Sequence, residues 1–428
     1  MAVTVDRSPA EPGVGLSSRA AAEAYVGGVC FKQGPPSLIG AELEWLTVCG
    51  ESSAPDTRPR PAVLAEALGP YAPRTIAPGS PAKPLPGGSR ITLEPGGQIE
   101  LSSAPFDDAA QLCAGLLADS RFLAGLLETR SIRTVSAAAD ADRRARRLLR
   151  LPRYHAMERS FAGIGPYGKL MMCNTAATQV SVDAGGDRPE ITARWNTLYA
   201  IGPALVAAFA CSPDLHGAPT GTWASQRMRT WLRLDHTRTR PPVRTWGDPV
   251  AEYARWALDV PLLCVRGGEN EADWSAPPGA SFADWLCGAL DDEIGRAPEV
   301  ADLDYHLTTL FPPVRAAGHL EVRYLDAQPG DRWTVPIHVL DALMSAPEVV
   351  TEAAAVAEPV AGEWSRASRC GLAEAQIRSV AVDLLTLAAD NARTGIAAGQ
   401  IADAVRRCRD ARTPDGVSTR PTLEPDTQ

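Results

Sequence analysis

The residues of this chain best suited to chemistry are five glutamates: Glu42, Glu44, Glu94, Glu100 and Glu321. They fall in segments 38–45, 91–101 and 319–324, which read as three strands. Side chains alternate across a strand, so Glu42 and Glu44 point one way while Ile39, Ala41, Leu43 and Trp45 point the other. Glu321 and Arg323 share a face in the same manner, opposed by Leu320, Val322 and Tyr324. Between Glu94 and Glu100, the run Pro95-Gly96-Gly97 imposes a tight bend with a carboxylate on either side. Clustered carboxylates on half-buried strands repel one another unless a hard cation neutralises them. Mg²⁺ is bound by carboxylates and shared with substrate phosphates, so the pattern points to ATP chemistry. A surface sheet edge would explain any one of these glutamates but not the set.

Other motifs support different chemistry less well. Gly163-Ile164-Gly165-Pro166-Tyr167-Gly168-Lys169 satisfies a dinucleotide fingerprint and the first positions of a phosphate loop. Its next residue is Leu170 where Ser or Thr would hold Mg²⁺, and the following stretch, 171–183, reads as a strand with Gln179, Ser181 and Asp183 on one face. A glycine-rich turn entering a strand is the expectation. No zinc-ligand spacing and no nucleophile elbow is present. A glycosidase needs only two carboxylates and leaves three unexplained. Of the six histidines, His306 is of interest because it lies just upstream of the Glu321 strand.

The elements that must position these residues belong to a 428-residue chain with ordinary apolar and charged content and a formal charge of -9. That balance offers no basic field for nucleic acid. Of 42 basic residues only Lys32, Lys83 and Lys169 are lysines. The nine cysteines are scattered without a C-x-x-C pair, which suits a reducing, cytoplasmic setting. No signal peptide opens the chain, and the longest apolar run, 198–211, is too short to span a bilayer, so no membrane association is expected.

Residues 1–18 and 411–428 have the composition of disordered termini around a single catalytic domain at 19–410. The proline-rich stretch 54–88 is an excursion within that domain, with one helical patch at 62–68. Helical spacing marks 19–30, 107–127 (capped by Asp107 or Asp108), 195–210, 248–257, 282–290, 337–344, 354–390 broken at Pro359, and 396–408. The basic cluster 142–150 reads as a solvated helix end before Pro152. The expected class is α+β, with distant strands sharing one mainly antiparallel sheet, polar on one face and covered by helices on the other.

At these segments the chain resembles the plant-type glutamate–cysteine ligases, within the glutamine-synthetase-like carboxylate–amine ligases. The resemblance runs from about Ile39 to Met344 and rests on ordered motifs. These include Gly40-Ala41-Glu42-Leu43-Glu44, Thr92-Leu93-Glu94-Pro95-Gly96-Gly97-Gln98-Ile99-Glu100, Thr178-Gln179-Val180-Ser181-Val182-Asp183, Arg227-Met228-Arg229-Thr230-Trp231 and His306-Leu307-Thr308-Thr309 with Arg315. The run is most similar to the actinobacterial branch that feeds ergothioneine biosynthesis. The resemblance implies a curved, glutamine-synthetase-like sheet and ATP-dependent joining of the glutamate γ-carboxylate to the amine of cysteine through a γ-glutamyl phosphate. It implies L-glutamate, L-cysteine and ATP as substrates, Mg²⁺ as cofactor, and a monomer.

By resemblance, Glu42, Glu44, Glu94, Glu100 and Glu321 with Gln179 are metal ligands, and Arg323 faces the transferring phosphate. Arg227, Arg238, Gln98 and Asp183 are substrate-binding, and His306, Thr309 and Arg315 are ATP-binding. Arg240 stands where the plant pattern has glycine. The alternatives are a ligase of the same family joining glutamate to another amine, and a non-catalytic Mg-nucleotide-binding protein. Arg227 and Arg323 disfavour the second, because a cation store needs no arginine facing its site.

Overall fold

The computed structural model describes residues 16, 18–34, 37–50, 58–267 and 273–417. Its centre is one sheet of seven strands: β1 (Ile39–Cys49), β2 (Arg90–Leu93), β3 (Ile99–Ser102), β4 (Ile132–Val135), β5 (Ala177–Val182), β6 (Val314–Ala316) and β7 (Leu320–Asp326). The order is β2-β3-β1-β5-β7-β6, with β4 paired to the last residues of β1. Every pairing is antiparallel. The α+β expectation holds, with sequence-distant strands made neighbours: β1 lies between β3 and β5, and β5 against β7.

Ala41, Leu43, Ile99, Leu101, Val180, Val182, Leu320, Val322 and Tyr324 alternate with the polar residues of these strands and join one continuous hydrophobic core. Helices Ala109–Glu128, Gly202–Phe209 and Thr334–Leu343 pack on β1, β7 and β5. The first of these is long and apolar enough, by length and composition, to cross a membrane. Its stripe Leu112, Leu116, Leu123 and Leu127 is buried in the core, and its buried Asp119 accepts the N–H groups of Gly87 and Ser89 at 2.6 and 2.9 Å. This is the pattern of a helix packed on a sheet.

Several helices lie where spacing places them. Arg19–Cys30 is capped by Ser18, and Asp108 caps Ala109–Glu128. Pro61–Leu68, Pro249–Asp259 and Gly395–Arg409 also match. Other expectations need correction. The stretch read as a strand from 171 begins as a helix, Tyr167–Asn174, and only Ala177–Val182 is strand. The glycine-rich turn therefore enters a helix. A Cβ on Gly168 would sit 2.2 Å from Phe161, so glycine there lets this helix dock. The helix is buried almost all round, which erases the periodicity that distinguishes helix from strand.

Segment 195–210 is two helices, Arg188–Ala200 and Gly202–Phe209, broken where Gly202 meets the Trp364 ring. Segment 354–390 is three, Pro347–Ala357, Trp364–Cys370 and Ala375–Asp390. The basic cluster 142–150 is irregular, not a helix end: Arg143 pairs with Asp140 and Arg147 with Glu158. Of the two expected disordered ends, 1–15, 17 and 418–428 lie outside the described residues. Residues 411–417 form a packed turn with Pro414 buried.

Candidate active site

Strand register explains how the glutamates meet. Across β1 and β3, Glu44 faces Glu100 and Glu42 faces Ser102, while Glu100 faces Thr92 on β2. On the other edge of β1, Glu42 faces Gln179 of β5. Ser181, two residues on, faces Glu321 of β7, which faces Arg315 of β6. Directly opposed residues of an antiparallel pair share a face. One face therefore carries Thr92, Glu100, Glu44, Glu42, Gln179, Glu321 and Arg315, with Arg323 following Glu321 at the strand period. Glu94 is not on a strand: it occupies the turn joining β2 to β3.

That turn is built to be tight. Gly97 has φ 89°, the left-handed region that glycine adopts without cost. A Cβ on Gly96 would lie 2.3 Å from the Cys173 carbonyl oxygen. The turn is thus pressed onto the end of helix Tyr167–Asn174, and Gln98 fastens it by donating to the Thr175 carbonyl at 2.9 Å.

The face is divided electrostatically. On its acidic side, the Gln179 amide nitrogen sits between Glu42 and Glu44, 3.0 and 3.1 Å from their oxygens. Thr92 donates to Glu100, and the Ser102 hydroxyl lies 3.3 Å from Glu42 and 3.4 Å from Glu100. Burial, then the charges of Glu100 and Glu321, push the Glu42 carboxyl well above its ordinary value. Burial, with Glu100 beside it, also raises Glu44. On the basic side, Arg315 grips one oxygen of Glu321 through Nε at 2.8 Å and Nη2 at 2.6 Å, and Arg323 grips the other. Burial works against the Glu321 charge, but Arg315 and Arg323 hold its pKa down at about 2.

Arg315 Nη1 and Arg323 Nε are buried with no hydrogen-bond partner among the described residues, as is Gln179 Oε1. Buried donors and acceptors left over on a polar face indicate a ligand. No group of three or more His, Cys, Asp or Glu among the described residues is arranged as a ready-made metal cradle. Hydroxyl and amide donors now separate the carboxylates. The residue types nonetheless fit Mg²⁺: hard oxygen donors, mutual repulsion that a cation would relieve, and an amide oxygen with no partner.

Arg227 is fully buried, so a helix-surface role is excluded. It lies on helix Gln226–Arg233, donates through Nη2 to the Arg323 carbonyl at 2.6 Å, and stacks 5.8 Å from the Trp231 ring. Arg323 stacks on the same ring at 5.6 Å. Two guanidinium groups are thus held side by side by one indole.

Other sequence-selected residues lie apart from this cluster. Arg238 spends its guanidinium on Asp235 and on the Pro261 and Thr309 carbonyls. The His306 Nε2 bonds the Ala257 carbonyl at 2.7 Å, its ring packs on Phe282, and Thr309 Oγ1 donates to the His306 carbonyl. These three knit the 235–239 and 306–311 segments together. Asp183, beyond the end of β5, accepts the Leu38 N–H at 2.8 Å. Arg240 is exposed with φ -82°, a conformation open to any residue, so its loop has no need of glycine.

Sequence reasoning passed over Asp326 and gave Trp231, quoted within the Arg227 motif, no role of its own. Asp326 ends β7 and accepts from the Ser212 and Ser225 hydroxyls at 2.7 and 2.8 Å and from Cys211 N–H at 3.0 Å. Ser225 caps the helix that carries Arg227, whose Nη1 is 3.9 Å from Asp326. The contact spans about a hundred residues and leaves no local pattern. Trp231 did leave a signal, since it lies four residues after Arg227 and so on the same helical face.

Comparison with known proteins gives the family of the chain. Residues 38–415 match the family described as glutamate-cysteine ligase family 2. The glutamate–cysteine ligase EgtA of Mycolicibacterium smegmatis is 38% identical over 89% of this chain and 86% of its own length. The Mycobacterium tuberculosis EgtA is 35% identical over 88% and 84%. The chloroplastic glutamate–cysteine ligase of Medicago truncatula is 32% identical over 58% of this chain and 48% of its own. A solved glutamate–cysteine ligase from Francisella tularensis, in complex with AMP, aligns over 90% of this chain and 84% of its own with 14% identity and a TM-score of 0.49. With the family matched over nearly the whole described chain and full-length relatives above 30% identity, the chain belongs to glutamate–cysteine ligase family 2 and is an enzyme of that type.

Proposed function

We propose that the enzyme uses ATP to join the γ-carboxylate of L-glutamate to the amine of L-cysteine through a γ-glutamyl phosphate, releasing ADP and phosphate. The observation that carries this is the split face: acidic groups on β1 and β3 beside arginines on β6 and β7 with unspent N–H donors. A phosphoryl transfer is catalysed mainly by positioning and charge neutralisation, which such a face supplies without a nucleophile.

Mg²⁺, when bound, would neutralise the ATP phosphates. Glu42, Glu44, Glu100 and Gln179 would hold it, with Glu94 contributing from its turn. Glu321 would join them only by yielding an oxygen now taken by Arg315 or Arg323. Arg323 and Arg315 would bind the oxygens of the transferring phosphoryl group as charge moves from nucleotide to acyl phosphate. Arg227, steadied by Trp231 and Asp326, would hold the α-carboxylate of glutamate and so direct the γ-carboxylate to the phosphate. The cysteine amine then attacks the activated carbonyl, and phosphate leaves. Cys173, beside the 94–98 turn, has its thiol pushed up to about 12 by burial, which argues against a protein thiolate taking part.

The 35–38% identity to two EgtA enzymes supports the branch that feeds ergothioneine biosynthesis. A cytoplasmic setting and action as a monomer are part of the same proposal, and the nine cysteines form no disulfide with one another. Measuring ADP release with glutamate and a panel of amines tests the assignment. Cysteine should give the highest kcat/KM, and a better amine would overturn it.

A further inference from the structure

A cavity of about 400 Å³ lies away from the glutamate face, under the turn at residues 411–417. That volume is within the range that holds small organic ligands. Phe209, Val335 and Ala404 give it an apolar wall, and Pro414 covers one side. Buried Gln328 forms part of its floor, its amide fixed on the Phe209 and Asp326 carbonyls at 2.9 and 2.8 Å.

Two guanidinium groups line the same space. Arg407 donates to the Arg412 carbonyl at 2.9 Å, and Arg332 donates to the Pro414 carbonyl. Each bond uses one N–H of five. Neither group forms an ion pair with a carboxylate among the described residues. Of the acidic residues at the rim, Asp403 is engaged by Arg406, and Asp331, exposed like its neighbour Arg332, forms no ion pair among the described residues. Burial, then the nearby Arg332 charge, among the effects at work there, lower the Arg407 pKa. Two like charges thus lie near each other beside an apolar wall, Arg407 half-buried and Arg332 exposed, with Asp415 of the covering turn, which accepts from the Thr413 hydroxyl, also acting on Arg407.

We propose that this cavity binds a small organic anion, its carboxylate or phosphate between Arg332 and Arg407 and its apolar body against Phe209, Val335 and Ala404. A charge-assisted, forked contact to two guanidinium groups would supply the affinity, and the apolar wall would select against inorganic ions.

The test is calorimetric titration of the full chain, with saturating glutamate and a non-hydrolysable ATP analogue filling the active site. The probes are benzoate, phenyl phosphate and the neutral benzamide. At least one anion should bind saturably at one site, benzamide should not, and the stronger anion identifies carboxylate or phosphate as the preferred head. Arg407→Ala should weaken that binding about tenfold or more. Ala404→Leu fills the cavity without touching either arginine and should weaken it as much, with the basal ligase rate unchanged in both variants. This second variant decides the matter if loss of Arg407 unsettles the final turn. Equal binding of benzamide, no saturable binding of either anion, or undiminished anion binding in folded Ala404→Leu would overturn the proposal.

Discussion

Replacing Arg227 by lysine separates a carboxylate clamp from a buried structural cation. The arginine reaches three places at once: the Arg323 carbonyl at 2.6 Å, the neighbourhood of Asp326 at 3.9 Å, and the face of Trp231 at 5.8 Å. A lysine ammonium is a single point charge and cannot keep the carbonyl contact while presenting a fork to a ligand. One charge-assisted hydrogen bond to glutamate would be lost, worth about 2–3 kcal/mol, or roughly 30- to 160-fold in binding. Arg227 is fully buried, so solvent screening does not discount this figure. Steady-state kinetics should show the KM for glutamate rising by that factor while the KM for ATP changes less than about threefold. A thermal melt establishes that the variant is folded. If the folded variant keeps both constants, Arg227 only braces the Arg323 strand, and glutamate is held elsewhere.

Glu42→Gln removes one of several mutually repelling carboxylates, so the metal-free protein should be as stable as the parent or more so. The rise in melting temperature on adding Mg²⁺ should shrink, and turnover should nearly vanish; an undiminished Mg²⁺ shift with full activity would remove Glu42 from the metal site. Glu321→Gln breaks a buried pair and strands Arg315 and Arg323, which should cost about 3–5 kcal/mol in denaturant unfolding. Burial holds His306 at about 4, below its ordinary 6.5, so on acidification the unfolded chain takes the proton first. Its share of stability is complete above about pH 6.5 and falls by about 3 kcal/mol as pH drops to 4, and His306→Gln should flatten that stretch of the stability–pH curve. Gly96→Ala forces a Cβ to within 2.3 Å of the Cys173 carbonyl and should cost about 3 kcal/mol or more while lowering activity through Glu94. An unperturbed unfolding midpoint would show that the turn can yield.

The sheet was legible because its strands alternate strictly. Glu42 and Glu44 against Leu43 and Trp45, and Glu321 and Arg323 against Val322 and Tyr324, each declare a buried face and a polar one. Periodicity cannot say which strands are neighbours, and the pairing of Glu42 with Gln179 and of Glu321 with Arg315 emerges only from register. Tyr167–Asn174 was misread because a helix buried on nearly every side has no polar stripe. The proline at 203 and the glycine at 202 marked a break within 195–210 that the apolar run concealed. Asp326 was invisible for another reason: its partners Cys211, Ser212 and Ser225 are over a hundred residues upstream, and a lone acidic residue after a strand has many ordinary explanations. The division of the face, with Glu321 committed to two arginines while Glu42 and Glu44 are pushed up, depends on distances that no residue pattern encodes.

The acyl-phosphate reading is tested most directly by following oxygen. Glutamate carrying ¹⁸O in both γ-carboxylate oxygens is supplied with ATP, Mg²⁺ and cysteine, and the released phosphate is analysed by mass spectrometry. One labelled oxygen should pass to each phosphate per turnover, with the other retained in the dipeptide and ADP as the nucleotide product. Unlabelled phosphate, or AMP and pyrophosphate in place of ADP, would contradict it.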